Sequence, residues 1–248
     1  MQTPDGGEAA IDPLELYASG IDSSDYVARV APLIREAVPS TGHLLDIGAG
    51  GGQLGASLRI SGAEWTAVEP SLTMRERLGR LPGPPRVIGV EWSEAQLLAG
   101  GFDTVLAANM PAPLTSARGF LTRCRAWTRR SIVWVVPAQN GPRGLCLAGC
   151  LPREWHGEDE TPGVDIVLGQ LPPGDHPEAV LKTSWCFSLH VRSIPAIATY
   201  LAGRLGWEPH DPRRAALVAH LSAAAETVED GFRLTVPRES AILVWGTK

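Results

Sequence analysis

The apolar residues of this chain form short runs that alternate with segments of helical periodicity. Apolar runs of strand length occur at five places, 44–47, 64–68, 86–90, 102–107 and 131–136. Between them, apolar residues about one turn apart or strong helix formers predict helices over 53–60, 72–80, 94–99 and 115–127. Strands that alternate with helices at this spacing predict an α/β domain whose parallel sheet carries helices on both faces.

An N-terminal region of different character precedes this alternating core. Residues 1–12 resemble a loose acidic tail, and residues 14–38 have the apolar period of a helix that ends at Pro39. We therefore expect an N-terminal tail and helical cap over 1–40, ahead of a main domain over 41–248.

The pattern loosens after Pro137. A segment rich in Gly and Pro, about 138–178, is expected to be an insertion that contains a short helix near 163–171. Beyond it the periodicities favour strands and helices in turn. These are a strand over 179–189, helices over 193–205 and 213–224, and a last strand within 232–245.

Composition and charge narrow the class of protein. The 248 residues are 44% apolar and 20% charged, which suits one large folded domain and argues against a disordered chain. No apolar run approaches the ~20 residues of a membrane span. The acidic first residues do not have the pattern of a secretion signal, so a cytoplasmic location is the default expectation. The net charge of −5 disfavours a large nucleic-acid surface.

The strongest chemical signal is the sequence Asp46-Ile47-Gly48-Ala49-Gly50-Gly51-Gly52 after the first strand. Glycine allows a sharp turn and a close approach of a ligand to the backbone. Asp46 adds a negative charge beside that loop. A pyrophosphate would be repelled by this carboxylate, whereas a ligand with an ammonium or sulfonium group would be attracted.

Three other strand ends carry polar or aromatic groups that could complete such a site. Glu69-Pro70 follows the second strand, where a carboxylate can accept hydrogen bonds from a ribose diol. Glu91-Trp92 follows the third strand, where a base edge is commonly held. Asn109 follows the fourth strand, whose end would face the reacting group.

In this order and spacing, residues 40–137 resemble the class I S-adenosylmethionine-dependent methyltransferases. The resemblance implies a three-layer Rossmann-like fold with a mostly parallel seven-stranded sheet and an antiparallel last strand. It also implies S-adenosylmethionine as cofactor and S-adenosylhomocysteine as product. Cofactor-binding residues would be Asp46, Gly48, Ala49, Gly50, Gly52, Glu69, Pro70, Glu91, Trp92 and Asn109.

Two other functions stay open at this point. A nucleotide-dependent oxidoreductase is the weaker one: Gly50-Gly51-Gly52-Gln53-Leu54-Gly55 fits G-x-G-x-x-G, but it begins three residues past the strand end. A cofactor-binding regulatory module without chemistry is the other, because the acceptor side lacks a strong motif. The expected acceptor is a small molecule; neither nucleic acid nor membrane is expected as a partner, and the oligomeric state, including a homodimer, is open.

Candidates on the acceptor side are few. His156, in the insertion, is the histidine with the best context for a general base. Cys146 and Cys150 near His156 are too few for a metal site, so no metal is expected. Tyr17 and Tyr26 of the cap could close over the cofactor. Of the eight tryptophans, Trp155 and Trp185 are candidates for the acceptor pocket wall and Trp92 for the adenine.

Overall fold

The computed structural model describes residues 11–110, 112–141 and 150–246; the tail residues 1–10, Pro111, Cys146 and its neighbours lie outside these ranges. One eight-stranded sheet runs through the described residues in the order β3-β2-β1-β4-β5-β8-β6, with β7 paired to β8. The strands are β1 (Leu44–Ile47), β2 (Trp65–Val68), β3 (Arg86–Ile88), β4 (Phe102–Ala108), β5 (Thr128–Pro137), β6 (Ala179–Val191), β7 (Glu226–Val228) and β8 (Gly231–Gly246).

Helices cover both faces of this sheet, as the alternating pattern predicts. They are α1 (Pro13–Asp22), α2 (Tyr26–Ala37), α3 (Gln53–Leu58), α4 (Leu72–Gly79), α5 (Ala117–Trp127), α6 (Arg153–His156), α7 (Gly163–Gln170), α8 (Ile194–Arg204) and α9 (Arg213–Ala224). Helices α1, α2, α3, α8 and α9 pack on one face, and α5 and α7 on the other. The predicted three-layer α/β fold is therefore confirmed.

The parallel half of the sheet explains the short, mainly apolar runs. Strands β1 to β5 are parallel, and every residue of the central β1 and of β2 is buried. A strand with helices on both faces has no solvent side, so its sequence does not alternate. The carboxyl ends of these strands meet at one edge of the sheet, which we call the carboxyl edge.

The antiparallel pair of β6 and β8 extends past that edge; we call this pair the hairpin, although α8, α9 and β7 separate its strands in the chain. Strand β5 pairs with β8 only as far as Pro137 opposite Ser240, whereas β6 stays paired with β8 from Ala179 to Val191. The part of the hairpin beyond Pro137 buries alternate side chains, among them Trp185 and Phe187. Helices α1 and α2 pack on this buried face, so the cap and the hairpin stand side by side above the carboxyl edge.

Three details of the sequence prediction are wrong. The predicted helix over 14–38 is two helices, because the chain turns at 23–25, where the Asp25 carboxylate accepts the Cys186 N–H of β6 at 2.7 Å. The predicted helix over 94–99 is a turn followed by irregular chain, since a segment this short gains too few hydrogen bonds to offset helix nucleation. The sheet has an eighth, short strand, β7. The remaining elements lie within a few residues of their predicted bounds.

Candidate active site

A glycine loop after β1 forms the floor of the candidate site. Gly48, Gly50 and Gly52 have φ angles of 61°, 55° and 79°, a region that favours glycine. A Cβ at Gly50 would meet nothing within 4 Å, so the space above this residue is open. A Cβ at Gly48 would overlap the Met110 side chain, so the chain after β4 packs directly on the loop.

Glu69 holds the glycine loop from the end of β2. Glu69 is 6% exposed, and its carboxylate accepts the Gly50 N–H at 2.8 Å on one oxygen and the Ser71 N–H at 2.9 Å on the other. Each carboxylate oxygen can accept a further hydrogen bond. The carboxylate is therefore fixed in place at the carboxyl edge with capacity left for a ligand.

Asp46 lies deeper, at the end of β1. Asp46 is 3% exposed, and its Oδ2 atom has no hydrogen-bond partner among the described residues. Burial raises the pKa of this carboxyl group to about 7; the nearby Trp65 indole lowers it and the Glu69 charge raises it further. A cation bound beside Asp46 would lower this pKa again, because it stabilises the ionised form.

Two tyrosines of the cap face the glycine loop. Tyr26 of α2 is 3% exposed, and its hydroxyl has no hydrogen-bond partner. Burial raises the pKa of Tyr26 well above its usual value, and the nearby Tyr17 and Asp46 add to that shift. Tyr17 of α1 accepts a long hydrogen bond, 3.5 Å, from the side-chain amide of Asn109. Asn109 itself has a positive φ of 54°, which turns the chain sharply at the end of β4.

Two cavities meet at this point. The first, which we call the loop cavity, is lined by residues 48–51 of the glycine loop and by Asp46, Tyr17, Tyr26 and Asn109, among others. The second, the hairpin cavity, is lined by Trp185, Phe187, Arg238 and Gln139 together with Tyr17 and Asn109, among others. Tyr17 and Asn109 therefore form a wall common to both cavities.

The walls of the hairpin cavity are largely aromatic. The Trp185 indole N–H donates to the Ser240 hydroxyl at 3.0 Å, and Tyr26 packs on the same indole with ring centroids 4.7 Å apart. Tyr17 and Phe187 are stacked with centroids 6.3 Å apart and planes 18° from parallel. These contacts hold the rings in fixed positions.

The structure places the other predicted cofactor residues along the same edge. Ala49 lines the loop cavity. Pro70 and Glu91 are exposed, after β2 and β3. Trp92 is half-buried and packs edge-on against Phe120 at 5.0 Å between centroids. The residues after β1, β2, β3 and β4 are thus brought to one edge, in the order that the sequence predicts.

His156 is absent from the described residues that line the two cavities. Its Nδ1 accepts the Glu158 N–H at 3.1 Å, and its Nε2 lies 3.6 Å from a carboxylate oxygen of Glu160. The adjacent Trp155 packs against Trp207 and His220. Among the described residues that line the two cavities, neither His156 nor Trp155 occurs. These contacts indicate that the His156 imidazole stabilises the conformation of residues 156–160.

Within 11–110, 112–141 and 150–246, no group of three or more His, Cys, Asp or Glu side chains could hold a metal ion. In the same ranges, no helix is both long and apolar enough to cross a membrane.

Several residues of the hairpin cavity escaped the sequence prediction. Arg238, Gln139 and Phe187 belong to no motif and lie far apart in the chain. The only available signal was the strand alternation of the last hairpin, which places Trp185 and Phe187 on the same side of β6.

Comparison with solved structures identifies the fold. A candidate type II methyltransferase from Anaeromyxobacter dehalogenans is 19% identical with a TM-score of 0.54, over 88% of this chain and 96% of that chain. The YcgJ protein from Bacillus subtilis is 13% identical with a TM-score of 0.51, over 88% and 97%. The chain has the Rossmann-like fold of class I methyltransferases.

A third structure is the plantazolicin methyltransferase BpumL in complex with S-adenosylhomocysteine, which is 14% identical with a TM-score of 0.43, over 93% of this chain and 84% of that chain. No protein-family model and no curated protein matches the sequence.

Proposed function

We propose that this protein is an S-adenosylmethionine-dependent methyltransferase that acts on a small molecule. The observation that carries the proposal is the pair of carboxylates at the glycine loop: Asp46, buried with an unpartnered oxygen, and Glu69, hydrogen-bonded to the Gly50 N–H. A carboxylate beside the loop disfavours a pyrophosphate and favours a cation. The unpartnered Tyr26 hydroxyl in the same cavity offers a further polar contact to a ligand.

In this proposal, different residues of the carboxyl edge bind different parts of the cofactor. Asp46 and the loop residues Gly48, Gly50 and Gly52 border the methionine part. Glu69 accepts the ribose hydroxyls, and Trp92 borders the adenine. Tyr17 and Asn109, which the two cavities share, border the path of the methyl group.

Bound at this edge, S-adenosylmethionine would supply an electrophilic methyl group, which an in-line attack by a lone pair of the acceptor would transfer while the electron pair of the S–CH₃ bond returned to sulfur. The protein contributes alignment of the two molecules and exclusion of water, for which the packed rings of Tyr17, Trp185 and Phe187 are suited.

The lining of the hairpin cavity supports a small-molecule acceptor. Trp185, Phe187 and Tyr17 line it together with a few polar side chains, and small-molecule sites have this mixture of aromatic walls and a few polar groups. The net charge of −5 also disfavours nucleic acid as the substrate. A cytoplasmic location and the state of assembly stay predictions.

The test compares two glutamates at opposite ends of β2. Glu69 follows the strand within the proposed site, whereas Glu64 precedes it with a side chain 80% exposed. We expect Glu69→Ala to weaken the binding of S-adenosylhomocysteine at least about tenfold by calorimetry, since hydrogen bonds to a charged group are lost. Glu64→Ala is the matched control and should bind like the wild type.

Two results would overturn the proposal. One is binding of NAD⁺ in preference to S-adenosylhomocysteine by the wild-type protein. The other is an equal affinity of Glu69→Ala and the wild type. If the cofactor binds but no acceptor in a broad panel gains a labelled methyl group, the regulatory module is the better interpretation.

A further inference from the structure

We infer that Tyr26 is a specificity-determining residue of the loop cavity, and that its buried hydroxyl binds the carboxylate at the amino-acid end of the cofactor. The inference rests on the proposed function, because it assigns a ligand contact within the same site. It is carried by a buried hydroxyl that has no hydrogen-bond partner, in a cavity whose described lining contains no cationic side chain.

The start of α2 holds the Tyr26 ring in a fixed position. The Tyr26 N–H donates to Ser24 Oγ at 3.2 Å, and the neighbouring Asp25 carboxylate accepts the Cys186 N–H of β6 at 2.7 Å. The ring itself packs on Trp185 with centroids 4.7 Å apart. The position of the hydroxyl is therefore set by the packing of α2 on the hairpin.

The hydroxyl lies among residues that line the loop cavity. Burial raises the pKa of Tyr26 well above its usual value; Tyr17 and Asp46 are near enough to raise it further, and the Asn109 amide is near enough to lower it. All three of these neighbours line the cavity together with Tyr26. Because of its raised pKa, the hydroxyl keeps its proton at neutral pH and is a hydrogen-bond donor.

This donor is not satisfied in the free protein. Tyr26 is 3% exposed, and its hydroxyl has no partner among the described residues. A buried polar group without a partner destabilises the state that contains it. A ligand that accepts a hydrogen bond from Tyr26 removes this cost, so binding is favoured for ligands that place an acceptor there.

The charges around the cavity decide which part of the ligand that acceptor is. The amino-acid end of the cofactor carries an ammonium and a carboxylate, and the ammonium is the group that a buried carboxylate such as Asp46 attracts. Since no cationic side chain occurs in the described lining, the ligand carboxylate depends on neutral donors. The amides of Gln53 and Asn109 already donate to other side chains. Tyr26 is the deeply buried donor of the lining that is left, and its hydrogen bond to a carboxylate would be charge-assisted.

The experiment compares two ligands that differ by this carboxylate alone. They are S-adenosylhomocysteine and its decarboxylated analogue S-adenosyl-3-thiopropylamine, which keeps the ammonium. Calorimetry on the full-length protein measures the affinity for each. We expect the wild type to bind S-adenosylhomocysteine at least about tenfold more tightly than the analogue, because the analogue cannot accept the Tyr26 hydrogen bond.

A single substitution then locates the preference. Tyr26→Phe should weaken S-adenosylhomocysteine binding at least about tenfold and leave the affinity for the analogue unchanged, because the ring stays and only the hydroxyl is lost. Tyr200→Phe is the matched control: Tyr200 belongs to α8 and is not among the described residues that line the loop cavity, so both affinities should match those of the wild type.

The melting temperature of the ligand-free variant is an independent measurement. Tyr26→Phe keeps the ring that packs on Trp185 and removes an unpartnered hydroxyl. We therefore expect its melting temperature to equal or exceed that of the wild type. A clearly lower melting temperature would show that the hydroxyl is already bonded in the free protein and would overturn the inference.

The remaining outcomes separate this inference from the proposed function. Failure of the wild type to bind S-adenosylhomocysteine overturns the proposed function. Normal binding with an unchanged affinity in a folded Tyr26→Phe overturns the role of Tyr26 alone. An equal loss of affinity for both ligands in this variant assigns the hydroxyl to a part that the two ligands share, and overturns the contact with the carboxylate.

Discussion

Among single residues, Asp46 links the candidate site to the pH dependence of stability. Its pKa is about 7 in the folded protein and about 3.9 in an unfolded chain. Because the folded state holds this proton more tightly, the group's contribution to stability is fully present below about pH 4. It is lost as the pH rises from about 4 to about 7, and the total loss is of the order of 4 kcal/mol.

Asp46→Asn removes this titration, so the variant isolates its effect from those of other acids. We expect the free energy of unfolding of the variant to gain on that of the wild type between about pH 4 and pH 7, because over this range the unfolded wild-type chain has released a proton that the folded protein still holds. Urea denaturation at several pH values measures the difference. A difference that stays constant over this range would contradict a buried Asp46 of raised pKa.

Among elements, the packing of α1 against the hairpin depends on one helical glycine, Gly20. A Cβ at Gly20 would lie 2.0 Å from the Phe187 ring, whereas a Cβ at Gly169 of α7 would meet nothing within 4 Å. Gly20→Ala should therefore destabilise the protein by about 1–3 kcal/mol through overpacking. Gly169→Ala should be neutral or stabilise it by up to about 1 kcal/mol.

The variants Gly20→Ala and Gly169→Ala also test whether the position of α1 matters for the site, since Phe187 and Tyr17 line the hairpin cavity. We expect Gly20→Ala to weaken S-adenosylhomocysteine binding as well, because displacement of α1 moves Tyr17 in the loop cavity. Thermal unfolding and calorimetry on both variants give the answer. Equal stability of the two variants would show that α1 is not packed on Phe187 as described.

Polar contacts hold the same helix from the other side. Arg77 of α4 forms ion pairs with Glu15, at 2.6 Å, and with Asp22, and Gln53 donates to Asp22 at 2.5 Å. These groups tie α1 to α4 and to the start of α3. The helix thus closes the loop cavity between the hairpin and the glycine loop.

For the whole molecule, the proposed function predicts where a ligand should reduce motion. S-adenosylhomocysteine should slow hydrogen exchange at the carboxyl edge, in residues 46–52 and 69–71 and in α1, because binding must be released before these segments open. Helices α7 and α9 lie outside the loop cavity and serve as internal controls. Mass spectrometry of peptides with and without ligand measures the change; uniform protection, or protection of α7 and α9 alone, would contradict the placement of the site.

The sequence alone determined the features that depend on near neighbours in the chain. Burial on both faces leaves a mainly apolar run at 44–47, and the positive φ angles after β1 favour glycines at 48, 50 and 52. Such constraints act within a few residues, so the strands of the parallel core and the glycine motif were predictable. The roles assigned to Glu69, Glu91, Trp92 and the other cofactor residues stay predictions.

Only the tertiary structure decided which distant residues share a cavity. The extent of β6 and β8 past Pro137 depends on pairing across about 50 intervening residues, and no local pattern records it. That extension brings Trp185 and Arg238 beside Tyr17 and Asn109, whereas His156, at the end of α6, is not among the described residues that line this cavity. The glycine loop follows from local backbone geometry, whereas the hairpin cavity follows from long-range packing, which is the physical reason that the first was predictable and the second was not.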